Sequence, residues 1–231
     1  MRRRPTALAV LSALLIYSAD AGELDLWLSR SAEARPYEAI AGNLREIVAG
    51  AAADGVAERL LLDRIVEGAR KKASADRLLQ AVEAEADRLS FLARSLAEGW
   101  PDTNAKRRET VLAELSLALR SGVDREEWGR ASRSVLDAKG APERAVAIVD
   151  LLASIDPARL IPAEDRLALV GAIAASRFRT DSIDSLVAVF TRGRARGLSP
   201  ALVARAIAEG LAAGGNLASV DRVLEGYRRD R

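Results

Sequence analysis

Apolar residues recur along this chain with the spacing of α-helices, and no stretch alternates apolar and polar residues for long enough to predict a strand. Helix starts are marked by Ser, Asp and Pro. Ser and Asp side chains accept hydrogen bonds from the free backbone N–H groups of the first turn, and Pro has no backbone N–H that would go unpaired. These starts are Pro36, Ser74, Asp124, Pro142, Pro162, Asp181 and Ser199-Pro200. Helix ends are marked by Gly55, Gly99, Gly122, Gly140, Gly197 and Gly214-Gly215. The pattern predicts an all-α fold.

The marked positions are regularly spaced. Gly122 to Gly140 and Gly197 to Gly215 are both 18 residues, and two intervals are longer, Gly140 to Ile161 and Ala73 to Asn104. A period of 18 fits a helix about 21 Å long plus a short turn, and two periods form an αα-hairpin of about 36 residues. The segment 74–99 reads as one helix of about 25 residues. We therefore expect short antiparallel helices, stacked as a solenoid-like right-handed array of αα-hairpins or packed as an irregular helical bundle.

One helix near the C-terminus shows the pattern in detail. Val203, Ile207 and Leu211 form an i, i+4, i+8 stripe within residues 200–213, which predicts that all three are buried. Arg205 and Glu209 lie off this stripe and are expected to be exposed, as a surface i, i+4 pair.

The first 21 residues have the pattern of a secretory signal peptide. A basic start, MRRRP, precedes an apolar run of 13 residues, and Ala19 and Ala21 form a small-x-small cleavage site before Gly22. The run is shorter than the roughly 20 residues that span a bilayer, so no transmembrane anchor is expected after processing. We expect a periplasmic or secreted protein whose residues 22–231 form a single all-α domain, or one subdivided near residues 99–104.

Charge changes the expected partners. Residues 1–21 hold three arginines and one aspartate, so residues 22–231 hold 32 basic and 32 acidic residues, which argues against nucleic acid. The C-terminal segment 166–231 is nevertheless basic, with 11 arginines against six acidic residues. Arg192, Arg194 and Arg196 lie near a helix C-terminus, where the helix dipole stabilises cations. The alternative is that these arginines bind an anionic envelope surface or a partner.

The chain contains no His and no Cys. This excludes Ser-His-Asp and thiolate catalysis and most zinc, copper and haem ligation, so we expect no catalytic residue, metal ligand or cofactor. The densest acidic cluster is Glu83, Glu85 and Asp87, of which Glu83 and Asp87 share a helix face and are expected to be solvated. In the acidic helix start DREEW, residues 124–128, Trp128 is expected to be the packing anchor.

These exclusions favour a non-enzymatic function. A helical-repeat protein offers a long concave surface, so the sequence predicts a protein- or peptide-binding scaffold of the cell envelope. Two alternatives stay open. One is an envelope enzyme that uses carboxylates alone, and the other is a carrier of an apolar ligand held between helices rich in small residues.

Overall fold

The computed structural model describes residues 22–229, with side chains to Tyr227, so the predicted signal peptide lies outside the described residues. This range forms eleven α-helices and two 3-10 segments, with no strand, and the all-α prediction is confirmed. The helices are α1 Glu23–Arg30, α2 Ala41–Ala53, α3 Glu58–Arg70, α4 Ala75–Gly99, α5 Ala105–Arg120, α6 Arg125–Asp137, α7 Pro142–Ile155, α8 Ala163–Ala175, α9 Ser185–Ala195, α10 Pro200–Gly214 and α11 Leu217–Arg229. The 3-10 segments are Ala32–Ile40 and Thr180–Ser182.

The chain divides into two compact units, one up to Phe91 and the other from Leu92 onward. In the first unit, α1 to α3 and the segment Ala32–Ile40 pack around fully buried residues such as Leu44 and Leu61. Pro36 does not begin a helix as expected but lies inside the 3-10 segment. This segment is held by the buried Tyr37, whose hydroxyl donates to the Ala73 carbonyl at 2.8 Å.

The second unit has an interleaved pattern of neighbouring helices. Helices α5, α7 and α9 pack in succession, and so do α6, α8 and α10. Consecutive helices also pack, as α6 does on α7 and α10 does on α11. The ion pairs that join α5 to α7 and α8 to α10 link residues a similar distance apart in sequence, 36 for Arg107 and Glu143 and 40 for Arg205 and Asp165, whereas Arg192 of α9 and Asp221 of α11 are 29 apart. Among α5 to α10, each helix thus packs on the helix two positions away in the chain.

The expected helix starts are largely used as caps. Asp124 accepts from the Glu127 backbone N–H at 2.9 Å, and the Glu127 carboxylate accepts from the Asp124 backbone N–H, which completes a capping box. Ser199 accepts from the Leu202 N–H at 3.2 Å, with Pro200 in the first turn. Asp181 is an exception, because it lies in the 3-10 segment and α9 begins only at Ser185.

Glycines also end helices, with one difference from the prediction. Gly55, Gly122 and Gly197 adopt positive φ after α2, α5 and α9, as C-terminal glycines commonly do. After α6 the left-handed residue is Lys139, with φ of 54°, and not Gly140. A Cβ at Gly140 would lie 2.8 Å from a Val135 methyl, so this glycine allows close approach instead.

Helices α4 and α10 match the sequence patterns that predicted them. Helix α4 has the predicted 25 residues. In α10 the stripe of Val203, Ile207 and Leu211 is buried, while Arg205 and Glu209 are exposed, as predicted. The expected pair between the latter two is wrong. Arg205 donates to Asp165 of α8 at 2.7 Å, and Glu209 accepts from the Tyr227 hydroxyl at 2.8 Å, because each finds a partner on a neighbouring helix.

Candidate functional site

An open groove of about 390 Å³ lies along helices α5 and α7 of the second unit and reaches the start of α9. Residues of α7 line it at i, i+3, i+4 and i+7, the spacing that places side chains on one helix face. The lining residues are Glu114 and Leu117 of α5, Glu143, Val146, Ala147 and Asp150 of α7, and Asp184. The groove is thus built by the packing of α7 on both α5 and α9.

Leu117 supplies exposed apolar surface in this groove. Its neighbours on α5 at positions 112, 115 and 118 are buried in the core, but Leu117 remains 59% exposed. Beside it, Val146 is buried and Ala147 is half-buried. A large apolar side chain at the edge of a concavity is available for contact with a bound molecule.

The groove carries an excess of negative charge. Of its four carboxylates, Glu143 accepts from two nitrogens of Arg107, with Nη2 at 2.5 Å from Oε2. This bidentate pair holds the pKa of Glu143 below its usual value. Glu114, Asp150 and Asp184 form no ion pair with any described residue, so three carboxylates stand without a countercharge.

Glu114 shows the energetic effect of that excess. Its pKa is raised, first by partial burial, then by repulsion from Asp150 and Glu143. Glu114 and Asp150 both line the groove and are 36 residues apart, the same offset as Arg107 and Glu143. A bound cation would relieve this repulsion.

A second pocket, of about 350 Å³, lies at the starts of α5 and α7. Arg107 and Lys139 both line it, and the Arg107–Glu143 pair separates it from the acidic groove. The indole N–H of Trp100 donates to the Gly140 carbonyl at 2.9 Å and fixes the floor of this pocket. This pocket thus holds charges of both signs, because Asp102 lines it together with Arg107 and Lys139.

The predicted arginine patch lies elsewhere in the second unit. Arg192 forms an ion pair with Asp221 at 3.1 Å, and Arg194 donates to the Leu198 carbonyl, as expected of cations at a helix C-terminus. Arg196 is exposed. The patch is on the surface, but two of its three side chains are engaged within the chain. The predicted cleavage residues Ala19 and Ala21 lie outside the described residues.

The acidic cluster of α4 is split by burial. Glu83 and Asp87 are exposed, as predicted, whereas Glu85 is 1% exposed and forms an ion pair with Arg88. Trp128 is fully buried, as expected of a packing anchor, and its indole donates to Ser95 Oγ at 2.9 Å. These residues stabilise the fold.

Sequence reasoning missed a buried charge cluster and the groove. Arg166 of α8 binds both Glu127 of α6 and Asp156, and all three are almost fully buried. The spacing of Asp124 and Glu127 is a capping-box pattern, which indicates a cap but not a buried ion pair. The groove depends on which helices become neighbours, and periodicity within one helix does not show this.

The described part of the chain contains no group of three or more acidic, His or Cys side chains placed to hold a metal ion. Among the same residues, no helix is both long and apolar enough to cross a membrane. Comparison with protein-family models, curated proteins and solved structures finds no match for this chain.

Proposed function

We propose that this chain is an exported, non-enzymatic helical-repeat protein that acts as a protein- or peptide-binding scaffold in the cell envelope. The observation that carries the proposal is the groove along α5 and α7, which combines exposed Leu117 with carboxylates that have no countercharge. A concave surface with an apolar contact and polar groups around it is the usual form of a binding site.

The repeat architecture is supported by the packing of alternate helices. Stacked αα-hairpins place each helix against the one two positions along the chain, and both α5–α7–α9 and α6–α8–α10 follow this order. The ion pairs that join α5 to α7, α6 to α8 and α8 to α10 span 36 to 40 residues, close to the 36-residue hairpin expected from the 18-residue period. Stacked repeats form extended concave surfaces, and repeat proteins commonly bind their partners there.

The exposure of the groove carboxylates favours binding over acid–base catalysis. A carboxylate enzyme needs two acidic groups in a cleft that excludes water. Glu114 and Asp150 are both exposed. The arginine patch is the weaker candidate for a partner, since Arg192 and Arg194 already have contacts within the chain.

Export rests on the N-terminal sequence. The proposal requires that the mature protein begin at or near Gly22, after cleavage at the Ala19-x-Ala21 site. An intact-mass measurement of the exported protein tests this directly. Retention of residues 1–21 would contradict the signal-peptide interpretation, although the groove would remain.

Binding is tested by affinity capture with the mature protein as bait and an envelope extract as the source of partners. Leu117→Ser and Leu160→Ser form a matched pair, because these leucines are 59% and 64% exposed and only Leu117 lines the groove. We expect the parent and Leu160→Ser to retain the same proteins and Leu117→Ser to lose them. Equal retention by both variants would contradict the proposal.

A further inference from the structure

We infer, on the basis of the proposed function, that the partner segment bound in the groove is cationic. Its chemistry is an apolar residue flanked by Lys or Arg, with the apolar side chain on Leu117 and the cations facing Glu114 and Asp150. The inference joins a concave surface, an exposed leucine and a local charge of one sign.

The charge argument is that the groove lacks cations of its own. Arg107 compensates Glu143, but Glu114, Asp150 and Asp184 have no countercharge among the described residues. Partial desolvation and the negative charges of Asp150 and Glu143 disfavour the ionised form of Glu114 in the free protein. A ligand cation between Glu114 and Asp150 removes that repulsion and adds attraction. An anionic segment would increase the repulsion.

The apolar argument is the position of Leu117. It follows Glu114 by three residues on α5, so the two side chains are neighbours on one helix face. Adjacent residues of a bound segment can therefore reach the carboxylate and the leucine at the same time. This arrangement favours a segment with an apolar residue flanked by basic residues over a purely polar polycation.

The test uses the mature protein and a fluorescein-labelled probe of sequence Gly-Lys-Lys-Leu-Lys-Lys-Gly, followed by fluorescence anisotropy. Two further probes replace the lysines by glutamates or the leucine by serine. The groove variant is Glu114→Gln with Asp150→Asn. Its matched control is Asp137→Asn with Glu225→Gln, which removes two exposed carboxylates outside the groove.

We expect the lysine probe to bind the parent and the control variant alike, and the groove variant to bind about tenfold more weakly, from two exposed ion pairs. The glutamate probe should not bind, and the serine probe should bind more weakly than the leucine probe. Circular dichroism should show unchanged helical content in both variants. Equal weakening by the two variants would mean general charge attraction and would overturn the inference.

The two proposals can fail separately. If envelope capture depends on Leu117 but is unaffected by the Glu114→Gln, Asp150→Asn variant, the scaffold function stands and the cationic partner is wrong. If neither Leu117→Ser nor the Glu114→Gln, Asp150→Asn variant changes capture, the groove is not the binding site and both proposals fail.

Discussion

The guanidinium of Arg166 and the carboxylate of Glu127 form a two-point hydrogen bond inside the second unit. Arg166 Nη2 lies 2.9 Å from Glu127 Oε2, and its Nε donates to Oε1. Arg166 Nη1 also donates to Asp156, which accepts from the backbone N–H groups of Leu160 and Ile161. One buried cation thus joins α6, α8 and the loop that follows α7.

Removal of Arg166 should strongly destabilise the protein. Arg166→Met leaves the carboxylates of Glu127 and Asp156 buried without their cation, which typically costs about 3–5 kcal/mol. Arg133→Met, at an exposed position on α6, is the matched control and should change the free energy of unfolding by less than about 0.5 kcal/mol. Urea unfolding monitored by tryptophan fluorescence measures both. Equal losses would contradict a structural role for the cluster.

Substitution by alanine at two mid-helix glycines should change the free energy of unfolding in opposite directions. A Cβ at Gly210 would lie 2.4 Å from the Val220 Cα, so Gly210→Ala must separate α10 from α11, a net loss of about 1–3 kcal/mol. Gly171 of α8 has no atom within 4 Å of that position, so Gly171→Ala should gain about 0.5–1 kcal/mol from helix propensity. Thermal unfolding checks the signs. A gain at both sites would show that α10 and α11 do not pack this closely.

The buried stripe of α10 provides a third test. Ile207 is 1% exposed, so Ile207→Asp places an unpaired charge in an apolar contact and should cost several kcal/mol. Glu209→Ala removes only a hydrogen bond from the exposed Tyr227–Glu209 pair and should cost a few tenths of a kcal/mol. Their melting temperatures measure the difference. Similar losses would mean that the wrong face of α10 had been assigned to the core.

Neutralising Glu114 should stabilise the protein in a pH-dependent way. A raised pKa means that the folded state holds the proton more tightly than the unfolded state, so ionisation costs stability as pH rises through the folded pKa. Glu114→Gln removes this cost and should gain a few tenths of a kcal/mol at neutral pH. The gain should vanish at about pH 3, where the carboxyl is protonated in both states. A gain of the same size at both pH values would have another cause.

The sequence predicted features that depend on local spacing. The full length of α4 and the buried stripe of α10 follow from apolar periodicity, and the Asp124 cap follows from residue type. Lys139 was missed because a non-glycine residue rarely adopts positive φ. Here tertiary packing decides the backbone conformation.

The candidate site depends on contacts between helices that are distant in sequence. Arg205 pairs with Asp165, 40 residues away, and not with Glu209 on its own helix. Glu114 and Asp150 line the same groove because α5 and α7 pack together. Helical periodicity shows on which face of its own helix each side chain lies. It does not show which other helix packs against that face.

The most direct test of the scaffold proposal is site-specific photo-crosslinking in intact cells. A benzoylphenylalanine at position 117 probes the groove, and the same residue at exposed position 133 on α6 is the control. We predict a discrete crosslinked protein partner at position 117, identified by mass spectrometry, and none at position 133. The yield at 117 should fall when Glu114 and Asp150 are replaced by Gln and Asn. A partner captured equally at both positions, or none at position 117, would contradict binding in this groove.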